Sequence, residues 1–100
     1  MIDAFVTHIQ TEKRYSALTV RNYRRDIESF ASWCASNAGI PLNEFDLTKV
    51  KAEDIREWII YRTDHDKISG ASMNRELSSL RSFYRYLRQR NLISQDIFSR

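Results

Sequence analysis

Two glycines and one proline are all that this chain of 100 residues offers to interrupt a helix. Charged residues of both signs make up 29% of the sequence and are spread through it, so long helices are favoured over strands and over disorder. With 42% hydrophobic residues the chain has enough apolar surface for one globular domain. At this length such a domain buries roughly two-thirds of the surface of its unfolded chain. The expectation is an all-α fold, a small four-helix bundle.

Apolar spacing divides the chain. Ile2, Phe5, Val6 and Ile9 recur at three and four residues and predict a first helix over about 2–13. Tyr15-Ser16-Ala17-Leu18-Thr19 then offers two hydroxyls, Ser16 and Thr19, able to cap a helix start. The second helix runs to about Ser36 on a stripe of Val20, Tyr23, Ile27, Phe30, Ala31 and Cys34, with Arg21, Arg25, Ser29 and Ser32 on its far side. Gly39 and Pro41 end it, and a loop extends to about Val50. A third helix starts near Ala52, where Glu53, Asp54 and Glu57 suit the positive end of its dipole; its stripe is Ile55, Trp58 and Ile59. Ile68-Ser69-Gly70-Ala71-Ser72 reads as linker and cap for a fourth helix with the seam Met73, Leu77, Leu80, Tyr84 and Leu87, fraying near Asn91.

The second and fourth helices align at an offset of 53 residues: Ser16 on Ser69, Thr19 on Ser72, Val20 on Met73, Ile27 on Leu80, Phe30 on Phe83. This is the pattern of a repeated unit in which Ser-x-x-Ser/Thr opens a long basic helix, presenting two similar helix starts in parallel roles.

Charge is distributed unevenly. Residues 13–25 hold five bases (Lys13, Arg14, Arg21, Arg24, Arg25) and no acid, and residues 75–90 hold five (Arg75, Arg81, Arg85, Arg88, Arg90) against Glu76. These segments carry +5 and +4 in a chain of net +3, so the remainder carries −6. A polyanion is the natural partner of such a face. Hydroxyl-capped helix starts at Ser16, Thr19 and Ser72, beside Arg21, Arg24 and Arg25, suit phosphate oxygens. On the outer stripe of the fourth helix, Asn74, Arg75, Ser78, Ser82 and Arg85 alternate long and short side chains. That alternation would let the helix enter a major groove, where Arg pairs with guanine and Asn with adenine. Arg81 and Arg88 lie nearer the core boundary and suit lateral phosphate contacts or cover of aromatic surface.

Other chemistries find little support. A lone Cys34 excludes an internal disulfide, and neither it nor the isolated His8 and His65 has metal-ligand spacing, so neither a metal nor a small-molecule cofactor is expected. Tyr15, Tyr23, Tyr61 and Tyr86 have no Arg-His constellation nearby in sequence. The aromatic residues Phe30, Trp33, Trp58, Phe83 and Tyr84 fall on or beside apolar stripes and are expected to pack rather than stack on bases. No apolar run approaches a membrane span, and Met1-Ile2-Asp3 lacks the start of a secretion signal, so a cytoplasmic setting without a membrane partner is expected.

Two blocks, Tyr15 to Ile27 with Phe30 and Ser72 to Leu87, resemble the N-terminal core-binding domain of Xer-type tyrosine recombinases and phage integrases. The resemblance covers nearly the whole chain. It implies a SAM-like domain over 1–93 that forms one half of a C-shaped clamp on double-stranded DNA, with the second and fourth helices facing the major groove. It also implies partner protomers, and a separate catalytic domain whose tyrosine attacks a phosphodiester; these 100 residues do not contain that domain, so no enzyme activity is expected of them. Residues 94–100 would begin the linker to it. Where the family shows Asn-Pro after Leu92-Ile93, this chain has Ser94-Gln95, and Lys51 stands where a Thr cap is frequent. The alternatives are a helical protein-interaction module and a helix-turn-helix repressor fragment; the long segment from Gly39 to Val50 fits the latter poorly.

Overall fold

The helix breakers sit where helices stop or start. A computed structural model describes residues 1–98, in which α1 (Ile2–Thr11), α2 (Ala17–Ala38), α3 (Ala52–Asp64) and α4 (Gly70–Gln89) are the α-helices. Gly39 closes α2 in the left-handed region at φ 72°, where a side chain would be strained, and its amide donates to the carbonyls of Ala35 and Ser36. Gly70 is the first residue of α4. Among the described residues there is no strand, and no helix is long and apolar enough to cross a membrane.

The expected boundaries shift for identifiable reasons. α1 ends at Thr11 rather than Lys13, because Arg14 takes a left-handed φ of 54° and turns the chain. α2 reaches Ala38, one residue before its terminating glycine. α4 begins at Gly70 because Ser69, not Ser72, is its cap: the Ser69 hydroxyl accepts from the Ser72 amide at 3.2 Å. Ser16 likewise caps α2 by accepting from the Thr19 amide, so Thr19 and Ser72 lie inside first turns instead of opening them. At α3, where Lys51 has no capping oxygen, the Asp54 carboxylate accepts the Lys51 amide at 2.9 Å. The loop after Gly39 contains two short 3-10 turns, Leu42–Glu44 and Leu47–Lys49, the second capped by Asp46.

At about 1.5 Å per residue α2 is roughly 33 Å long, close to the longest dimension of the domain, 36 Å. It is the spine against which α1, α3 and α4 pack. The stripes predicted from spacing are the core: Phe5, Ile27, Phe30, Leu80, Phe83 and Leu87 are almost completely buried, with Val20, Met73, Leu77 and Trp58 close behind. Tyr84 is buried too, and its hydroxyl donates to the Leu47 carbonyl at 2.8 Å, which pins the 3-10 segment to α4. Ile93, Ile97 and Phe98 pack on the same core, so the described part of the expected linker lies back against the domain; positions 99 and 100 fall outside the described residues.

The offset of 53 residues extends well beyond the aligned side chains. Thr11 and Asp64 end α1 and α3, and Arg14 and Lys67 take the same left-handed conformation, φ 54° and 57°. Tyr15 N–H donates to the Ile9 carbonyl as Ile68 N–H donates to that of Arg62, both at 3.1 Å. Ser16 and Ser69 cap with matching backbone angles. The domain therefore repeats one helix-turn-helix backbone pattern, α1-α2 and α3-α4, from the end of the first helix to the cap of the second, although α1 packs more closely on α2 than α3 does on α4. The equivalent residues Asp26 and Ser79 touch where the long helices cross, at 2.8 Å, the kind of contact that a local two-fold relation produces.

Candidate nucleic-acid interface

Asp26 organises the crossing. It is 4% exposed, and its Oδ2 accepts from both the Ser79 hydroxyl and Arg75 Nη1 at 2.8 Å. Arg25 Nε lies 3.8 Å from Oδ1 of the same carboxylate. A buried carboxylate needs such partners, since an uncompensated charge in a low-dielectric interior is costly. Two guanidinium groups, from α2 and α4, thus stand on either side of one anion, and both side chains stay substantially exposed, 61% for Arg25 and 46% for Arg75.

The crossing thereby brings the two basic stripes together at Arg25 and Arg75. Asn74, Arg75, Ser78 and Arg85 are exposed along the outer side of α4, with Ser82 half-buried beside them. Ser82 and Arg85 share a shallow hollow with Lys13, Tyr15 and Tyr23 of the first hairpin. Arg21 and Arg25 line a separate open concavity on α2 with Ser29 and Ser32. Ser16 is exposed at the start of α2, and Thr19 and Ser72, half-buried, complete the two capped turns.

Besides Arg25, two of the predicted cations already face carboxylates. Arg24 reaches away from the crossing to Asp3 at 2.9 Å and Glu28 at 3.2 Å; the Asp3 hydrogen bond, then that of Glu28, holds its pKa above the ordinary arginine value against some desolvation. Arg75 is anchored on Asp26, with Glu76 3.8 Å from its other terminal nitrogen. A guanidinium has five N–H donors, so one bond to Asp26 leaves others to offer. Among the described residues Arg21 and Arg85 have no carboxylate partner.

Sequence reasoning overlooked Asp26, Ser79 and Glu76. All three sit at helix-periodic positions inside apolar stripes, and a polar residue at a core position was the available signal. It also left His8 isolated. In the fold His8 lies against Tyr86, ring centroids 4.9 Å apart, with Arg90 over the same ring at 4.9 Å. Tyr86 is buried, 7% exposed, which argues for packing. Burial pushes the Cys34 thiol up to about 12, with Asp54 adding to the shift, and raises the Tyr84 phenol well above its ordinary value, so neither is an activated nucleophile. No cluster among the described residues could hold a metal ion.

The sequence model of the phage integrase N-terminal SAM-like domain matches residues 2–91. The chain belongs to that family. This phage-integrase SAM-like domain is also similar to proteins named tyrosine recombinase XerC. It is 34% identical to that of Oceanobacillus iheyensis over 97 residues, 97% of this chain and 30% of the relative. It is 33% identical to that of Lacticaseibacillus casei, covering 97% of this chain and 31% of the relative. It is 29% identical to that of Leptospira interrogans, covering 92% and 28%. The SAM-like domain thus spans about 30% of the length of these curated relatives. No solved structure matches it significantly.

Proposed function

We propose that this domain binds double-stranded DNA as the core-binding half of a tyrosine recombinase, gripping the duplex with α2 and α4. Arg21, Arg24, Arg25 and the capped starts at Ser16, Thr19 and Ser72 contact phosphates. Asn74, Arg75 and Arg85 give limited base reading, with Ser78 and Ser82 short enough to admit the groove edge. In the assembled recombinase, a catalytic domain elsewhere in the parent protein would cut and rejoin the strand while neighbouring protomers hold partner sites. The reading places that work in the cytoplasm.

The observation that supports this most is the shared carboxylate at the crossing. Asp26 fixes Arg75 at the surface and draws Arg25 beside it, so the two stripes meet and the seam keeps a net positive charge. Ordering a long side chain on binding costs on the order of 1 kcal/mol. An arginine held beforehand by a buried anion has already lost much of that freedom.

The test is fluorescence anisotropy with labelled duplexes across a salt series. Six phosphate contacts give a log-log slope near −5, from roughly −0.9 per contact. Arg21→Gln with Arg25→Gln should weaken every sequence about equally and flatten the slope by about 1.8, whereas Asn74→Ala or Arg85→Ala should change the preference among sites. A salt-independent affinity, or no binding at low salt, would sink this reading.

A further inference from the structure

The C-terminal half of α4 carries three arginines, Arg81, Arg85 and Arg88, at spacings of four and three residues, which places them along one side of the helix. They line a hollow of about 140 Å³ together with Tyr84, Asp96 and Phe98. The first hairpin has Glu28, Ser32 and Ala35 at the equivalent positions, so this cationic hollow belongs to the second hairpin alone. It is closed from one side by the chain itself. Phe98 lies under the Arg81 guanidinium, 5.5 Å from Cζ to ring centroid, and against Tyr84. Asp96 Oδ1 accepts the Phe98 amide at 3.0 Å, which turns Oδ2 toward Arg88 at 3.7 Å.

We infer that Arg81, Arg85 and Arg88 form an anion site for a backbone phosphate of DNA, and that residues 94–98 fold over it as a removable strap in which Asp96 stands in for the phosphate. The strength of the closure fits a strap that lets go. At 3.7 Å the Asp96–Arg88 contact is an ion pair without hydrogen-bond geometry, and both side chains are exposed, Asp96 41% and Arg88 55%. A phosphodiester brings the same single negative charge on two unshared oxygens. Its longer reach would let it hydrogen-bond two guanidinium groups at once. Arg85, already given to base reading, has five N–H donors and no carboxylate of its own among the described residues, so it can offer one of them to an incoming phosphate and the rest to a base. Ile97 and Phe98 supply the apolar hold that keeps the segment on the core until the anion competes.

This inference rests on the proposed DNA binding, and a double-mutant cycle on the full chain separates the two. Releasing an exposed ion pair of this kind should raise duplex affinity about two- to fivefold, so Asp96→Asn should bind tighter than wild type and steepen the salt slope by about 0.9 for one added phosphate contact. In an Arg88→Gln background the same change should have almost no effect. An equal gain in both backgrounds would mean that Asp96 acts only through net charge, and no gain in either would mean that nothing is masked; both results overturn the strap. If wild type and Asp96→Asn alike fail to bind duplex DNA at low salt, the DNA reading itself falls. The site is then judged by the arginine Nε–Hε resonances under titration with inorganic pyrophosphate. Tighter binding at Arg81, Arg85 and Arg88 in Asp96→Asn than in wild type upholds the strap, and equal binding rejects it.

Discussion

The two hairpins share the backbone of a turn and a cap and differ in chemistry. Each ends its first helix, turns through a left-handed basic residue, returns one amide to the carbonyl six residues back and caps the second helix with serine. Yet the first turn carries Lys13 and Arg14, exposed and without a carboxylate partner among the described residues. In the second, Asp66 binds Arg62 at 2.8 Å and His65 at 2.9 Å. Between the helices the contrast is the same. Tyr23 of the first hairpin stacks on Phe5 and lines a hollow with Ile9, whereas the equivalents of Ile9 and Tyr23, Arg62 and Glu76, form a two-point ion pair, with Arg62 also over Trp58. Geometry set by turns and caps tolerates exchange of the polar groups. The second turn consequently spends its charges on itself, while the first leaves Lys13 and Arg14 facing outward.

The largest effect should come from breaking the ion pair. Glu76 is 7% exposed, and Glu76→Ala leaves the Arg62 guanidinium, 21% exposed, with only Asp66. Removing one partner of a buried pair typically costs 3–5 kcal/mol, and about 3 kcal/mol is expected here because Arg62 keeps that second anion. Writing the first hairpin's residues into the second, Arg62→Ile with Glu76→Tyr, should recover most of that loss in urea denaturation, since an apolar pair is often an adequate replacement for a buried ionic one. Should the double variant be as unstable as the single, the two sites are not interchangeable and the equivalence ends at the backbone.

Asp26→Asn comes next, at about 1–2 kcal/mol, because the side chain keeps an acceptor for Ser79 while losing the charge that holds Arg75. Its second consequence bears on the site. With Arg75 unanchored, discrimination between duplex sequences should fall more than overall affinity. A variant that loses stability but reads sequences as before would show that Asp26 serves the helix crossing alone.

These two carboxylates mark the limit of what the sequence revealed. The stripes Val20–Cys34 and Met73–Leu87 were legible because burial follows the 3.6-residue period, and the offset of 53 was legible because both helices repeat their caps and largest core residues in register. Asp26 follows two arginines and received no reading of its own. Its spacing of three from Tyr23 and four from Phe30 puts it in the stripe, but its partner Arg75 is 49 residues away, and only the crossing of α2 and α4 joins them. The pairing of Arg24 was hidden for a similar reason: its carboxylate Asp3 belongs to α1, so no local pattern announces that contact. The cap of α4 was left open between Ser69 and Ser72, two equally good hydroxyls; the choice follows from Lys67, whose left-handed turn delivers the chain at Ser69.

The caps test the equivalence directly. Both serines accept an amide at 3.2 Å from the same backbone conformation, so Ser16→Ala and Ser69→Ala should each cost about 1 kcal/mol and match one another closely in denaturant midpoint. A marked inequality would place extra work on one start. Ser16 is the candidate, since its hydroxyl also donates to Thr19 Oγ1 at 2.9 Å.

The smallest effect concerns acid. Hydrogen bonds from Arg62, and then His65, hold the Asp66 carboxyl below its ordinary pKa. A carboxylate depressed in the folded state contributes stability that is fully present above its unfolded value and disappears as pH falls through its folded value. The domain should therefore lose stability on acidification below about pH 4, and Asp66→Asn should lose less over the same interval. Since Lys13 stands at the equivalent place, the first turn has no counterpart to this titration. An acid slope unchanged in Asp66→Asn would assign the loss to other carboxylates, of which Asp46, depressed by its bonds to Thr48, is the first to try. The contrast between the turns would then lie in their charge at neutral pH, not in a proton that one of them alone can take up.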